Sequence, residues 1–508
     1  MQKRSPSVWF ALFLWSVLIL RFGYRFGTGD QVELLPYTLF LSDASLYAKD
    51  FFIQGLHATV PNERTVMANL LLPFVDYLEL IAFLGQMLCT VFLVMGLEKI
   101  ALRFIQNRYW AWVAVATALI PLNDFGLGNV EVYSECLQAG GVATALIVWA
   151  MNYFLDKRWM VASLLMTIAT FIQLLDGLDV MLVLSAILLF AAMAGQVKWS
   201  IFLRFIGLFG ATAGVYLLFI LLQKSGKAQV APEFIFEVMF KFRHPHHFIF
   251  ASFSTKKVMV FLALTIIGMI YFRKVSKPLF QFLFIGSLGL LFYIVATDVF
   301  HFTPIANFQF YKVSQWMKFF GVVALLAVLP PFLGLSIHRF QLHFERWMLL
   351  AGTLFSFMMI MFLADKLPYQ VPVQILGLKE REAIIRIAEE IKMSTPQDAV
   401  FIQAFENTEL KFYAQRSSYV EFKANVRHQL FVQEWYRRVG EVYGVNKDSD
   451  AKGFALQQLG NTHFEQLSAA QLIALKYEGV THLLYPIHCV PALGTLVVKN
   501  EAYAVYQL

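Results

Sequence analysis

Apolar runs of membrane-spanning length recur along the chain from Trp9 to Ala364 and then stop. A helix crosses the hydrocarbon core of a bilayer with about 20 apolar residues, or fewer where it is buried inside a bundle. Runs at residues 8–24, 77–97, 109–121, 136–155, 159–175, 179–194, 201–222, 257–272, 278–296, 314–334 and 347–364 predict about eleven transmembrane helices. The runs at 159–175 and 179–194 are short. The turn Asp176-Gly177-Leu178-Asp179 between them reads either as an ordinary loop or as a re-entrant corner within the membrane.

Beyond Pro368 the pattern becomes that of a water-soluble α/β domain. Ala383, Ile384, Ile387, Ala388 and Ile391 share one helical face over 379–393, and Ser394-Thr395-Pro396 ends that helix. Ala399 to Gln403 and Val480 to Tyr485 read as strands, while 425–443 and 468–477 read as helices. Leu496 to Tyr506 predicts a closing hairpin that turns at Asn500. The expected architecture is an α-helical polytopic membrane domain over 1–366, with large outer loops at 21–76 and 223–257. An extracytoplasmic α/β domain follows over 367–508.

Composition agrees with this division. Of 508 residues, 58% are hydrophobic, 16% aromatic and only 15% charged. A soluble globular chain carries about 25% charged residues, so the apolar excess belongs in a membrane. The formal charge of +7 does not signal a nucleic-acid partner, because much of the excess sits in short loops between apolar runs. Lys99, Arg103 and Arg108, then Lys157 and Arg158, Lys198, Arg273, Lys274 and Lys277, and Arg339 and Arg346 occupy alternate loops. The positive-inside rule places those loops in the cytoplasm. The basic start at Lys3-Arg4 and the apolar run after it read as a retained first helix with a cytoplasmic N-terminus. An odd number of spans then puts the C-terminal domain on the periplasmic or extracellular side of a bacterial inner membrane. Cys89, Cys136 and Cys489 have neither the spacing of a disulfide framework nor that of a zinc motif.

Two constellations carry candidate chemistry. Gly29-Asp30-Gln31-Val32-Glu33 follows the first helix, with Tyr37, Asp43 and Lys49-Asp50 downstream. A carboxylate at the membrane face can take a proton from a hydroxyl arriving from water. It can instead hold a divalent cation, magnesium or manganese, that neutralises a departing phosphate. The same acids also suit helix caps and solvated turns. In Lys241-Phe242-Arg243-His244-Pro245-His246-His247, an arginine and three histidines form a dense donor cluster suited to a phosphate. A zinc site and a basic segment at the lipid headgroups are the other readings of that stretch. Lys312 adds positive charge or reaches for the interface. Asp124, Glu131, Gln173 and Asp176 are further polar candidates in or beside spans, where such groups are costly.

These pieces resemble the GT-C superfamily of multi-pass glycosyltransferases, which use sugars linked to lipid phosphates. In that superfamily an acidic residue in the first outer loop is the catalytic base, and Gly29-Asp30-Gln31 stands in that place. Gln31 occupies the position of the usual second acid. The closer resemblance is to a group of bacterial GT-C-like membrane proteins. It rests on Leu46-Tyr47-Ala48-Lys49-Asp50-Phe51-Phe52, Gln173-Leu174-Leu175-Asp176-Gly177-Leu178 and Arg243-His244-Pro245-His246-His247. It also rests on Gln415-Arg416-Ser417-Ser418-Tyr419-Val420, Glu434-Trp435-Tyr436-Arg437-Arg438 and the ending Asn500 to Tyr506. Gln173 stands where those relatives carry a histidine.

The resemblance implies an inverting transferase that takes a sugar from a polyprenyl-phosphate donor. Asp30 or Asp50 would be the base, and Arg243, His244, His246, His247 and Lys312 would hold the donor phosphate. The implied partners are membrane lipid, the lipid-linked sugar and an envelope protein or glycan acceptor. A non-catalytic scaffold of a cell-envelope complex is the rival class. A transporter or flippase fits less well, since the two halves show no repeat and the charges gather at one face.

Overall fold

The computed structural model describes residues 6–24, 26–224, 230–332, 354, 378–426 and 428–508. The chain is mostly helical, with one five-stranded sheet near its C-terminal end. It divides into two compact units. One comprises Met1–Arg25, Ala82–Leu217 and His246–Val373; the other comprises Phe26–Ile81, Leu218–Pro245 and Gln374–Leu508. Most of the first loop and the middle loop up to Pro245 therefore belong to the unit of the C-terminal domain, a different division from that expected at residue 366.

The apolar runs fall on helices wherever residues are described. Among the described residues, six helices are long and apolar enough to cross a membrane: Thr65–Ala101, Leu174–Met193, Trp199–Leu222, Thr255–Val275, Lys277–Val299 and Thr303–Pro330. Shorter apolar helices occupy Ser7–Phe22, Ala139–Leu155 and Trp159–Ile172. The run at 109–121 is a helix of 12 residues, Arg108–Leu119. The run at 347–364 and the basic positions Arg339 and Arg346 lie outside the described residues.

The corner expected at Asp176–Asp179 lies earlier. The backbone turns at Gln173 (φ −137°, ψ 103°), and both aspartates sit in the first turns of helix Leu174–Met193. Gly177 permits this arrangement, because a Cβ there would lie 2.6 Å from the Thr170 nitrogen. Glycine also sets the crossing of helices Thr255–Val275 and Ser314–Phe332. A Cβ on Gly268 would lie 3.4 Å from the Cα of Gly321, and one on Gly321 would overlap the Leu264 carbonyl. Helices without a hydrophobic driving force between them gain by such backbone approach.

In the other unit, strands β1 (Val400–Gln403), β2 (Ser417–Ser418), β3 (His482–Pro486), β4 (Thr495–Lys499) and β5 (Tyr503–Gln507) lie in the order β2-β1-β3-β5-β4. Parallel pairing joins β1 to β2 and β3, and antiparallel pairing joins β5 to β3 and β4. Helix Leu378–Ser394 lays Ile384, Ile387, Ala388 and Ile391 on a core with Phe401, Leu484 and Val505. The β4–β5 turn forms at Asn500, whose Oδ1 accepts from the Tyr503 N–H at 2.8 Å. The first loop has regular structure in helices Gln31–Ser42, Phe51–Ala58 and Thr65–Leu71. The middle loop winds into a π-helix at Phe236–Arg243.

A methyl group at the helix crossing should be costly. Gly321→Ala should destabilise the detergent-solubilised protein by about 1–3 kcal/mol, as overpacking does. Gly207→Ala, where a Cβ meets nothing within 4 Å, should leave the midpoint of thermal unfolding in place. Equal midpoints for the two variants would refute the close crossing.

Candidate functional site

Lys411 is the most deeply buried cation among the described residues of the sheet-bearing unit. Its side chain is 1% exposed, with the Asp50 carboxylate 3.0 Å from Nζ and the Glu421 carboxylate 2.5 Å away. Asp50 caps helix Phe51–Ala58, its Oδ1 accepting from the Ile53 N–H at 2.9 Å. Its Oδ2 accepts from the Ser418 N–H at 2.7 Å. Burial works to lower the Lys411 pKa, but Asp50 and Glu421 together raise it above its ordinary value. Burial also pushes Glu421 up, to about 7, with Lys411 opposing. Asp50 is thus not the water-facing carboxylate expected from the sequence: it is fully buried, and both oxygens are taken.

The neighbouring contacts come from the same short motifs. The Tyr47 hydroxyl donates to the Lys411 carbonyl at 3.0 Å. Phe51 stacks on Phe431 with centroids 4.2 Å apart. Arg438 lies over Phe51 and Tyr419, 4.3 Å from each ring. Arg416 closes the end of helix Leu378–Ser394, donating to the carbonyls of Lys392 (2.7 Å) and Thr395 (2.8 Å).

A second charged group lies at the start of helix Gln31–Ser42. Gly27 (φ 76°) and Gly29 (φ 60°) make the left-handed turn leading into it. The Gln31 side chain accepts from the Gly27 N–H at 2.8 Å. Arg64 donates from Nε to Glu33 at 2.9 Å and from Nη1 to Asp30 at 3.2 Å. Arg64 and Glu33 are buried, whereas the Asp30 side chain is 35% exposed. Burial holds the Glu33 carboxyl above its usual range, against the pull of Arg64. Glu33, three residues after Asp30, is the second acid of this group. Asp30 is the member of this group that reaches water.

Arg243 is buried as well, and its guanidinium has internal partners. Nε donates to the Phe422 carbonyl at 3.0 Å, Nη2 donates to the Lys423 carbonyl, and the group lies 5.2 Å from the Trp435 ring. It also contacts His244. This arrangement pins the middle loop to the segment before helix Gln429–Tyr443, in place of the phosphate contact expected.

The remaining candidates divide between the units, His244 in one and His246, His247 and Lys312 in the other. His247 Nδ1 donates to the Gly128 carbonyl at 2.7 Å, and the His246 and His247 rings lie 4.2 Å apart. Lys312 pairs with Asp176 at 2.6 Å in the helical unit. Asp179, one turn further along that helix, is fully buried, with neither oxygen hydrogen-bonded among the described residues. Lys257 pairs with Asp124 at 2.7 Å, Glu131 is exposed, and Gln173 is half-buried at its helix break.

Sequence reasoning missed Arg64, Lys411 and Glu421. Each stands alone among ordinary neighbours, and its partners are supplied only by folding. The one usable signal was Lys411 and Glu421 within stretches otherwise patterned for burial.

Several helices long and apolar enough to cross a membrane, together with a mixed five-stranded sheet, point to a helical membrane protein with a folded domain. Residues 382–442 match the model of a domain of unknown function, DUF6798. No curated protein matches the chain. The matched segment contains Lys411, Ser418, Phe431 and Arg438, which Tyr47, Asp50 and Phe51 of the first loop contact.

Removing one partner of a buried ion pair leaves an uncompensated charge, at about 3–5 kcal/mol. Lys411→Met should lose stability on that scale, and Asp50→Asn added to it should restore part of the loss. Full additivity of the two effects in thermal unfolding would contradict the pairing. Glu421 gives a pH signature with a definite sign. Between its ordinary 4.5 and about 7, the folded chain holds a proton that the unfolded chain has lost. Stability should fall as pH rises through that window and level off above it. Glu421→Gln should remove that decline from melting curves taken across the window.

Proposed function

We propose that the chain is an inverting membrane glycosyltransferase of GT-C type. It moves a sugar from a polyprenyl-phosphate donor to an acceptor at the outer face of a bacterial inner membrane. In this reading about eleven helices span the bilayer, the N-terminus is cytoplasmic and the sheet-bearing unit is periplasmic. The observation that carries it is the accessible Asp30 carboxylate beside the buried pair Glu33 and Arg64.

Asp30 takes the proton of the acceptor hydroxyl as its oxygen attacks the anomeric carbon. The bond from that carbon to the lipid phosphate breaks, and the phosphate leaves with the electron pair. Arg64, held by Glu33, keeps Asp30 in place. His244, in the same unit as Asp30, supplies charge for the departing phosphate. Arg243 contributes by holding the middle loop. Magnesium or manganese does not fit at Asp30 and Glu33, because Arg64 already compensates both carboxylates.

A scaffold for an envelope complex is the second reading, favoured by the commitment of Asp50 and Arg243 to internal contacts. Asp30→Asn separates the two. The protein in nanodiscs, supplied with radiolabelled polyprenyl-phosphate sugars and envelope extract, should transfer label to an acceptor. Asp30→Asn should lower kcat by about a hundredfold to ten-thousandfold, the range for losing a general base, with little change in donor KM. Transfer at the wild-type rate would remove Asp30 from the chemistry. Full complementation by Asp30→Asn in cells would favour the scaffold.

A further inference from the structure

The sheet-bearing unit carries a second group of side chains, distinct from the charged residues described above. Glu465 ends helix Leu456–Glu465, and His488 and Cys489 lie in the turn that follows β3. One ligand atom from each of the three lies within 4.8 Å of the others. Their supports are fixed. The Tyr485 hydroxyl donates to the Phe464 carbonyl at 2.9 Å, and the two rings pack 4.6 Å apart. These contacts join the helix end to the strand. The turn is held by the Cys489 N–H to the Pro486 carbonyl at 2.9 Å and by the Ile487 N–H to the Ala502 carbonyl at 2.7 Å. Cys489 and Glu465 share a hydrogen bond, so sulfur and carboxylate already converge. His488 is exposed, and the other two are half-buried.

We propose that Glu465, His488 and Cys489 form a zinc site on the sheet-bearing unit, with one coordination position open. The chemistry of the donors selects the metal. A thiolate and an imidazole disfavour magnesium and calcium, and a mixed sulfur, nitrogen and oxygen set suits tetrahedral zinc. Zinc–ligand bonds of about 2.0–2.3 Å place neighbouring ligand atoms roughly 3.3–3.8 Å apart. Three protein ligands leave the fourth position to water or an incoming group. Glu465 also lines a groove of about 620 Å³ with Gln457, Gln458, Asn461 and Thr462, which gives such a group a polar approach.

Cobalt(II) titration of the chelator-treated, full-length protein in detergent tests the site. One equivalent should give the ligand-field bands of a tetrahedral ion and a near-ultraviolet thiolate charge-transfer band, and added zinc should bleach both. The charge-transfer band should vanish in Cys489→Ser. His488→Ala and Glu465→Gln should weaken cobalt binding by at least about tenfold, the loss that even an outer-shell change causes. Circular dichroism should show all three variants folded like the wild type. Absence of the thiolate band from the wild-type protein would overturn the site, and so would its survival in Cys489→Ser. Cobalt held only by histidines elsewhere in the chain produces no such band, and that result also counts against the site.

Discussion

A buried ammonium group must be compensated, and at Lys411 that requirement organises the sheet-bearing unit. Charge in an apolar interior is tolerated only when paired and hydrogen-bonded. One partner, Glu421, comes from ten residues along the same segment. The other, Asp50, comes from the first loop, 361 residues away. Asp50 also completes the sheet. Ser417 and Tyr419 donate their N–H groups to β1, so the Ser418 N–H points away from the ladder at the open edge of β2. Asp50 accepts it, which satisfies an edge donor that could otherwise pair with another chain. One carboxylate therefore caps a helix, neutralises a lysine and covers a strand edge.

The rest of the junction follows from bringing Asp50 to that place. Tyr47, Phe51 and Phe52 are carried in with it, and their contacts fall on Lys411, Phe431 and Arg438. Arg243 fastens the middle loop to the adjacent backbone in the same manner, with a guanidinium on carbonyls and a tryptophan face. The short motifs that looked chemical in isolation are largely the ones that hold three distant segments together. Asp30 differs from them because its carboxylate keeps access to water.

Much of the fold was legible, for reasons that can be stated. The apolar runs mark helices because a continuous apolar stretch of that length can satisfy its own backbone in lipid by coiling into a helix. Helix Leu378–Ser394 showed its i, i+3, i+4 face, and Asn500 showed its turn. The first loop was read as irregular because helix Gln31–Ser42 is buried on nearly all sides from Gln31 to Phe40, so no polar stripe marks its period. The helix break was expected at Asp176–Asp179, where turn-forming residues cluster, but packing of Gly177 on Thr170 moved it to Gln173. Asp50 could not be told from a solvated cap, since both roles want the same residue at a helix start. Its partner Lys411 stands in a stretch patterned for burial, but nothing in the sequence names Asp50 as its partner, because ion pairing between distant segments leaves no periodicity.

The wide separation of these partners also sets an order of events during synthesis. At about 5–20 residues per second, the ribosome adds Lys411 roughly 20–70 s after Asp50. Throughout that interval the first loop carries a carboxylate and a set of aromatic rings whose binding surface does not yet exist. Only local helices can form in it, because contacts of such high sequence separation must wait for the far end of the chain. Completion of this unit is therefore a late event, and a nascent chain that stops before Lys411 exposes a loop built to be buried.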